Sequence, residues 1–187
     1  MRSAWLALVS AYDNDNFPEE LAIKVMVMPV IFPLHMVSGA LALVLVPATI
    51  LLRKHPRWHR PLGRIAAMTV LVGGLTAFPV ALILPVTPWS AAGFTVQGAL
   101  WVLLLGKGLY HIRQRQIAQH RVSMILLAAV TSGAIFFRVY LALWAVFAQG
   151  RHYELFYACD AWLAWLLPLA GCAWWLNRSN RNMPHTT

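Results

Sequence analysis

Three ionisable side chains stand inside apolar stretches, where a charge is costly: His35, Arg138 and Asp160. His35 precedes Leu52 by 17 residues, Arg138 follows Arg121 by 17, and Asp160 precedes Asn177 by 17. At 1.5 Å per helical residue each lies about 26 Å from its basic end, near the far boundary of a hydrocarbon core about 30 Å thick. Imidazole and carboxyl groups take and give protons, and a guanidinium, always charged, anchors anionic groups. The three read as a candidate catalytic set, with His35 and Arg138 also candidate cofactor-binding residues. The structural alternative is an Arg138–Asp160 clamp between neighbouring helices, with His35 hydrogen-bonded beside it. The clamp predicts a contact, direct or through one water or ligand.

Four further histidines, His55, His59, His111 and His120, lie in two basic segments. Imidazole ligates metals and haem iron. His59 and His120 are the better cofactor candidates, because each opens a helix and directly precedes an arginine, Arg60 or Arg121. His55 and His111 read as solvated. The spacing is unlike a tight metal signature such as His-Glu-x-x-His, so no metal is assigned. Basic loops also meet anionic lipid headgroups. In KVMVMPVIFPLHM, the side chains of Met26, Met28, His35 and Met36 would suit copper(I), although methionine is an ordinary gap-filler in apolar cores.

Membrane-crossing helices must position these residues. The 187-residue chain is 60% hydrophobic and 11% charged, whereas a soluble domain carries roughly a quarter charged residues. The net charge of +9 does not indicate a nucleic-acid partner, because the basic residues sit in short segments between apolar blocks. Cys159 and Cys172 are 13 residues apart in one apolar block, about 20 Å along a helix and too far for a disulfide. Cys159 reads as a small packing residue.

Five spans are expected: one within Leu21–Leu52 starting near Met26, then about Gly63–Leu84, Ala91–Leu109, His120–Ala148 and Leu155–Leu176. Pro29, Pro33 and Pro47 should kink the first or make its far end irregular. The turn Pro85–Trp89 breaks the chain between the second and third. In the second span, Gly73-Gly74 admits a close neighbour. In the fourth, His120 and Arg138 lie five turns apart on one face, with Thr131 about 20° from that line. Trp89, Trp144, Trp174 and Trp175 fit an interfacial aromatic belt.

Segment Arg53–Arg64 holds five Arg/Lys, Lys107–Arg121 four and the tail two, and an odd number of spans puts all three on one side. The positive-inside rule makes that side cytoplasmic and the N-terminus external. All six acidic residues then fall on or near the outer side. The fold class is all-α, a polytopic membrane helix bundle. Residues 1–20 form an extracytoplasmic segment with a short apolar run at Ala4–Ala11, 21–176 the membrane domain and 177–187 a cytoplasmic tail. The matched His59-Arg60 and His120-Arg121 pairs admit two readings: a repeated helical hairpin, or coincidence in basic loops.

The run LHMVSGALAL, then HRPLGR, then IAQHRVSM before an intramembrane arginine, resembles a family of small bacterial membrane proteins defined as a domain of unknown function. The resemblance covers roughly His35 to Arg138 and rests on His35, Gly39, His59, Arg60, Gly63, His120, Arg121 and Arg138. It implies topology more than mechanism. More loosely, the chain is similar to four-helix b-type cytochromes and to oxidase-assembly membrane proteins. It departs from the cytochrome pattern in having only His35 well inside a span, with His152 in the outer loop as the available partner. The resulting expectation is a redox-linked protein of the bacterial inner membrane that binds a quinone or b-type haem, alone or as accessory subunit of a respiratory or electron-transfer complex. The alternative is a non-catalytic scaffold that binds lipid or a partner. Transport is weaker, because no pair of broken helices in inverted halves is visible.

Overall fold

The structure, a computed structural model, describes residues 19–149 and 151–181, and these form helices and turns with no strand. The helices are α1 (Glu19–Val27), α2 (Ile31–Leu51), α3 (Pro56–Leu82), α4 (Pro88–Arg113), α5 (Ile117–Ala148) and α6 (Tyr153–Arg181). Among the described residues, five stretches are long and apolar enough to cross a membrane: Ile31–Lys54, Pro56–Leu82, Pro88–Arg113, Ile117–Ala148 and Tyr153–Ser179. Their surface is apolar as lipid contact requires, with Leu103, Leu163 and Trp174 among the exposed large side chains. The apolar run at Ala4–Ala11, most of the N-terminal segment and the end of the tail lie outside the described residues.

The helix boundaries differ from expectation at the basic segments. Nine of the twelve residues of Arg53–Arg64 are already in α3, because Pro56 occupies its first turn, where the missing N–H costs nothing. Most of His111–Arg121 is helical too, and the break is confined to residues 114–116. Arginine and glutamine are good helix formers, so a basic stretch between spans need not be a loop. At the other end, a break at residues 28–30, around Pro29, separates α1 from α2. A reciprocal capping box between Thr87 and Ser90 opens α4.

Successive helices α2, α3, α4 and α5 pack side by side into a ring, and α6 lies outside it against α5 and α4. The closing seam, α2 against α5, is the loosest of the four in the ring. Small side chains let the helices approach: Ala42, Val46, Ala66, Val70, Leu104, Leu105, Leu127 and Val130 form the core. Trp101 of α4 fills the centre. Its ring occupies the space beside Gly73 of α3, where Ser38 of α2 also lies, and its Nε1 donates to Thr131 Oγ1 of α5 at 2.8 Å. The indole is therefore half-buried with its polar handle satisfied.

Glycines also seat α6. A Cβ at Gly93 would meet the backbone of Ala161, and one at Gly133 would meet Trp165. An aromatic ladder continues the contact, with Trp144 stacked on Phe156 at 5.0 Å and Phe137 edge-on to Tyr157 at 5.2 Å. Trp144 thus serves the α5–α6 hairpin, whereas Trp89, Trp174 and Trp175 are exposed as a belt requires. Cys159 is exposed on α6 and is not a packing residue, and both cysteines are free.

Candidate functional site

The end of the bundle holding the α2–α3 and α4–α5 connections is basic, and His35, Arg138 and Asp160 lie towards the opposite end. His35 is half-buried. Its Nδ1–H donates to Gly73 O at 3.0 Å, with Thr76 Oγ1 at 3.2 Å as a second acceptor. A carbonyl cannot donate, so Nδ1 carries the proton and a neutral ring keeps its lone pair on Nε2. Thr76 is free to accept because its own hydroxyl donates to Val72 O at 2.7 Å. Ser38, one turn inward from His35, donates to His35 O at 3.0 Å and is buried. Gly39 has nothing within 4 Å of where a Cβ would stand.

Arg138 lies within electrostatic reach of His35 across the α2–α5 seam, and Lys24 of α1 is also in range of the imidazole. Lys24 donates to Val80 O of α3 at 3.1 Å, which ties α1 to the end of that helix. The Arg138 guanidinium folds back along its own helix and donates to Ala134 O at 2.7 Å. That is its one hydrogen bond among the described residues, although the group carries five N–H donors. It is exposed, although Thr131 and Leu127, on the same helix face, are buried.

The expected direct Arg138–Asp160 contact is absent: both Asp160 oxygens are buried without a hydrogen-bond partner among the described residues, and Arg138 bonds its own helix. Helix geometry explains the miss. Phe137 and Trp144, seven residues apart and so on one face of α5, pack their rings on α6. Arg138 is turned about 100° from Phe137. Asp160 therefore shares a level with the other two but belongs to the α6 interface, with Ala161 beside it packed on Gly93. Tyr157, one turn from Asp160, is the α6 residue within electrostatic reach of Arg138, and the sequence reading missed it. His152, the available partner for His35, is exposed in the turn before α6 with φ 54.

At the basic end, His59 Nδ1–H donates to Thr49 O at 2.9 Å and His120 Nδ1–H to Gly108 O at 2.8 Å. Each histidine opens a helix and reaches back 10 or 12 residues to a carbonyl in the last two turns of the preceding helix. The shared geometry favours the repeated-hairpin reading of the two His-Arg pairs. Gly108 permits it in the second hairpin, because Met124 and Ser123 occupy the space a Cβ would take. Nε2 is again left with the lone pair of a neutral ring. His55 is exposed, and His111 bonds Gln116 within its own turn at 2.7 Å. Among the described residues no three His, Cys, Asp or Glu side chains gather into a metal-holding group, so the four histidines do not form a cluster.

A groove of about 380 Å³ between α4 and α6, lined by Trp89, Leu155, Ala158, Cys159, Trp162 and Leu163, is almost wholly apolar and touches none of these residues. Neither the curated proteins nor the solved structures contain a match to the chain. Residues 32–176, which span α2 through most of α6, match the family described as predicted membrane protein DUF2306, and the chain belongs to that family.

Proposed function

We propose that this membrane protein is redox-linked and holds a b-type haem or a quinone among its helices, acting alone or as an accessory subunit of an electron-transfer complex in the bacterial inner membrane. One observation carries the reading. His35, His59 and His120 each donate Nδ1–H to a backbone carbonyl of a neighbouring helix. That bond fixes the tautomer and orients the ring, as it does behind metal-bound histidines, and leaves Nε2 as the ligand or proton acceptor. His59 and His120, at one end of the ring, would hold haem iron, which supplies one-electron chemistry when bound. His35 and Arg138 would bind a quinone headgroup or another group with acceptor oxygens. Asp160, buried and unpartnered, would serve as a proton-holding group beside that site rather than as the counter-ion of Arg138. The basic end faces the cytoplasm in this reading, which puts the N-terminus outside.

The non-catalytic alternative draws on the internal hydrogen bonds. Trp101 to Thr131, and Gln97 Nε2 to Val130 O at 3.3 Å, tie α4 to α5 as structural glue would. The two readings separate on the full-length protein purified in mild detergent. A reduced-minus-oxidised absorption band, or stoichiometric quinone on extraction, is expected. A colourless, quinone-free preparation supports the scaffold.

A further inference from the structure

We propose that the α2–α5 seam is a lateral doorway from the bilayer to a site that binds a lipid-soluble ligand by an acidic oxygen, with Arg138 donating to it and His35 Nε2 accepting from it. The inference rests on the reading of this end as a ligand site, and it names the ligand class and the route. Three observations converge. The seam is the loosest in the ring. Arg138 is permanently charged, lies in a span, and among the described residues uses one of five donors, on its own helix, while Asp160 makes no hydrogen bond to it. An intramembrane arginine without an acidic partner requires water or a ligand with acceptor oxygens.

His35 then decides which ligand. Its Nδ1–H is committed to Gly73 O, so in the neutral ring Nε2 accepts a hydrogen bond and selects a ligand that also donates. A phenolic or carboxylic O–H satisfies both residues, whereas a methyl ester or a quaternary ammonium group does not. Two sources share this chemistry: a quinol and a long-chain carboxylic acid. The space beside Gly39, one turn inward from His35 on a neighbouring line of the helix, gives the headgroup room. The exposed apolar residues Ile31 of α2 and Ile135 of α5, each about one turn from His35 or Arg138, form walls for its tail.

The test uses the full chain in phosphatidylcholine nanodiscs and three photoreactive probes: a diazirine-bearing oleic acid, its methyl ester, and an azido-quinol. Cross-linked peptides are mapped by mass spectrometry. The acid or the quinol should label residues around 31–39 and 134–142, and the ester should label them about tenfold less, the loss expected for one charge-assisted hydrogen bond. Arg138→Gln should remove the preference. Gly39→Leu should fill the space and remove it too, and since nothing stands within 4 Å of the new Cβ it keeps the test alive if Arg138→Gln fails to fold. Labelling by the acid but not the quinol upholds the site and removes the quinone from this end. Equal labelling by acid and ester, labelling spread over lipid-facing residues such as Leu163, or labelling unmoved by Gly39→Leu would overturn the proposal.

Discussion

Asp160 shows how much a residue's role depends on its azimuth as well as its depth. Counting residues put it level with Arg138, but the α6-facing side of α5 is set by Phe137 and Trp144. Its two oxygens are buried with no donor, a condition that costs about 1–3 kcal/mol. Asp160→Val should therefore stabilise the protein by up to about 1–3 kcal/mol less the strain of repacking, read as a raised thermal unfolding midpoint in detergent. A midpoint lowered by several degrees would mean that the carboxyl has a structural partner. The same geometry predicts that Arg138→Gln and Asp160→Asn are additive to within about 0.5 kcal/mol in a double-mutant cycle. Coupling well above that would restore the clamp. His35, by contrast, is in electrostatic reach of Arg138, but its anchors, Gly73 O and Thr76, carry no signal of their own in the sequence. A backbone carbonyl has no sequence identity, and a threonine near a helix end is usually bonded to its own helix.

At the scale of elements, the span count was legible because bilayer thickness fixes a minimum apolar length, and five stretches meet it. Helix ends were less legible. Arg57, Arg60 and Arg64 sit in α3 rather than in a loop, since charge marks topology without breaking a helix. The Gly73-Gly74 pair was readable as a close approach, but its occupant was not: Trp101 comes from α4, and only the ring order brings it there. Gly73→Ala would place a Cβ 2.9 Å from the Trp101 ring and 3.2 Å from Ser38 Oγ. Such overpacking costs about 1–3 kcal/mol, and it should lower the unfolding midpoint while leaving helix content by circular dichroism unchanged. Gly39→Ala, with open space at its Cβ, should leave the midpoint where it is. Equal effects at the two glycines would contradict the ring order.

At the scale of the whole molecule, polarity is distributed between two ends. The α2–α3 and α4–α5 connections and the helix ends beside them, with the end of α6, carry the arginines and lysines that should hold that end in the cytoplasm. A reporter fused after Thr187 should then be active in the cytoplasm and silent in the periplasm, and the reverse result would invert the bundle. The distribution also separates the two candidate sites. His59 and His120 stand at the basic end and His35 and Arg138 towards the other, so an electron carrier and a lipid-soluble ligand would occupy opposite leaflets. The most direct measurement of the central claim is the haem and quinone content of the purified protein beside three single variants. The account predicts that the parent carries cofactor, that His59→Ala and His120→Ala each lose haem, and that His55→Ala, whose parent side chain is exposed, keeps it. A parent with neither haem nor quinone, or variants that all retain haem equally, would contradict it.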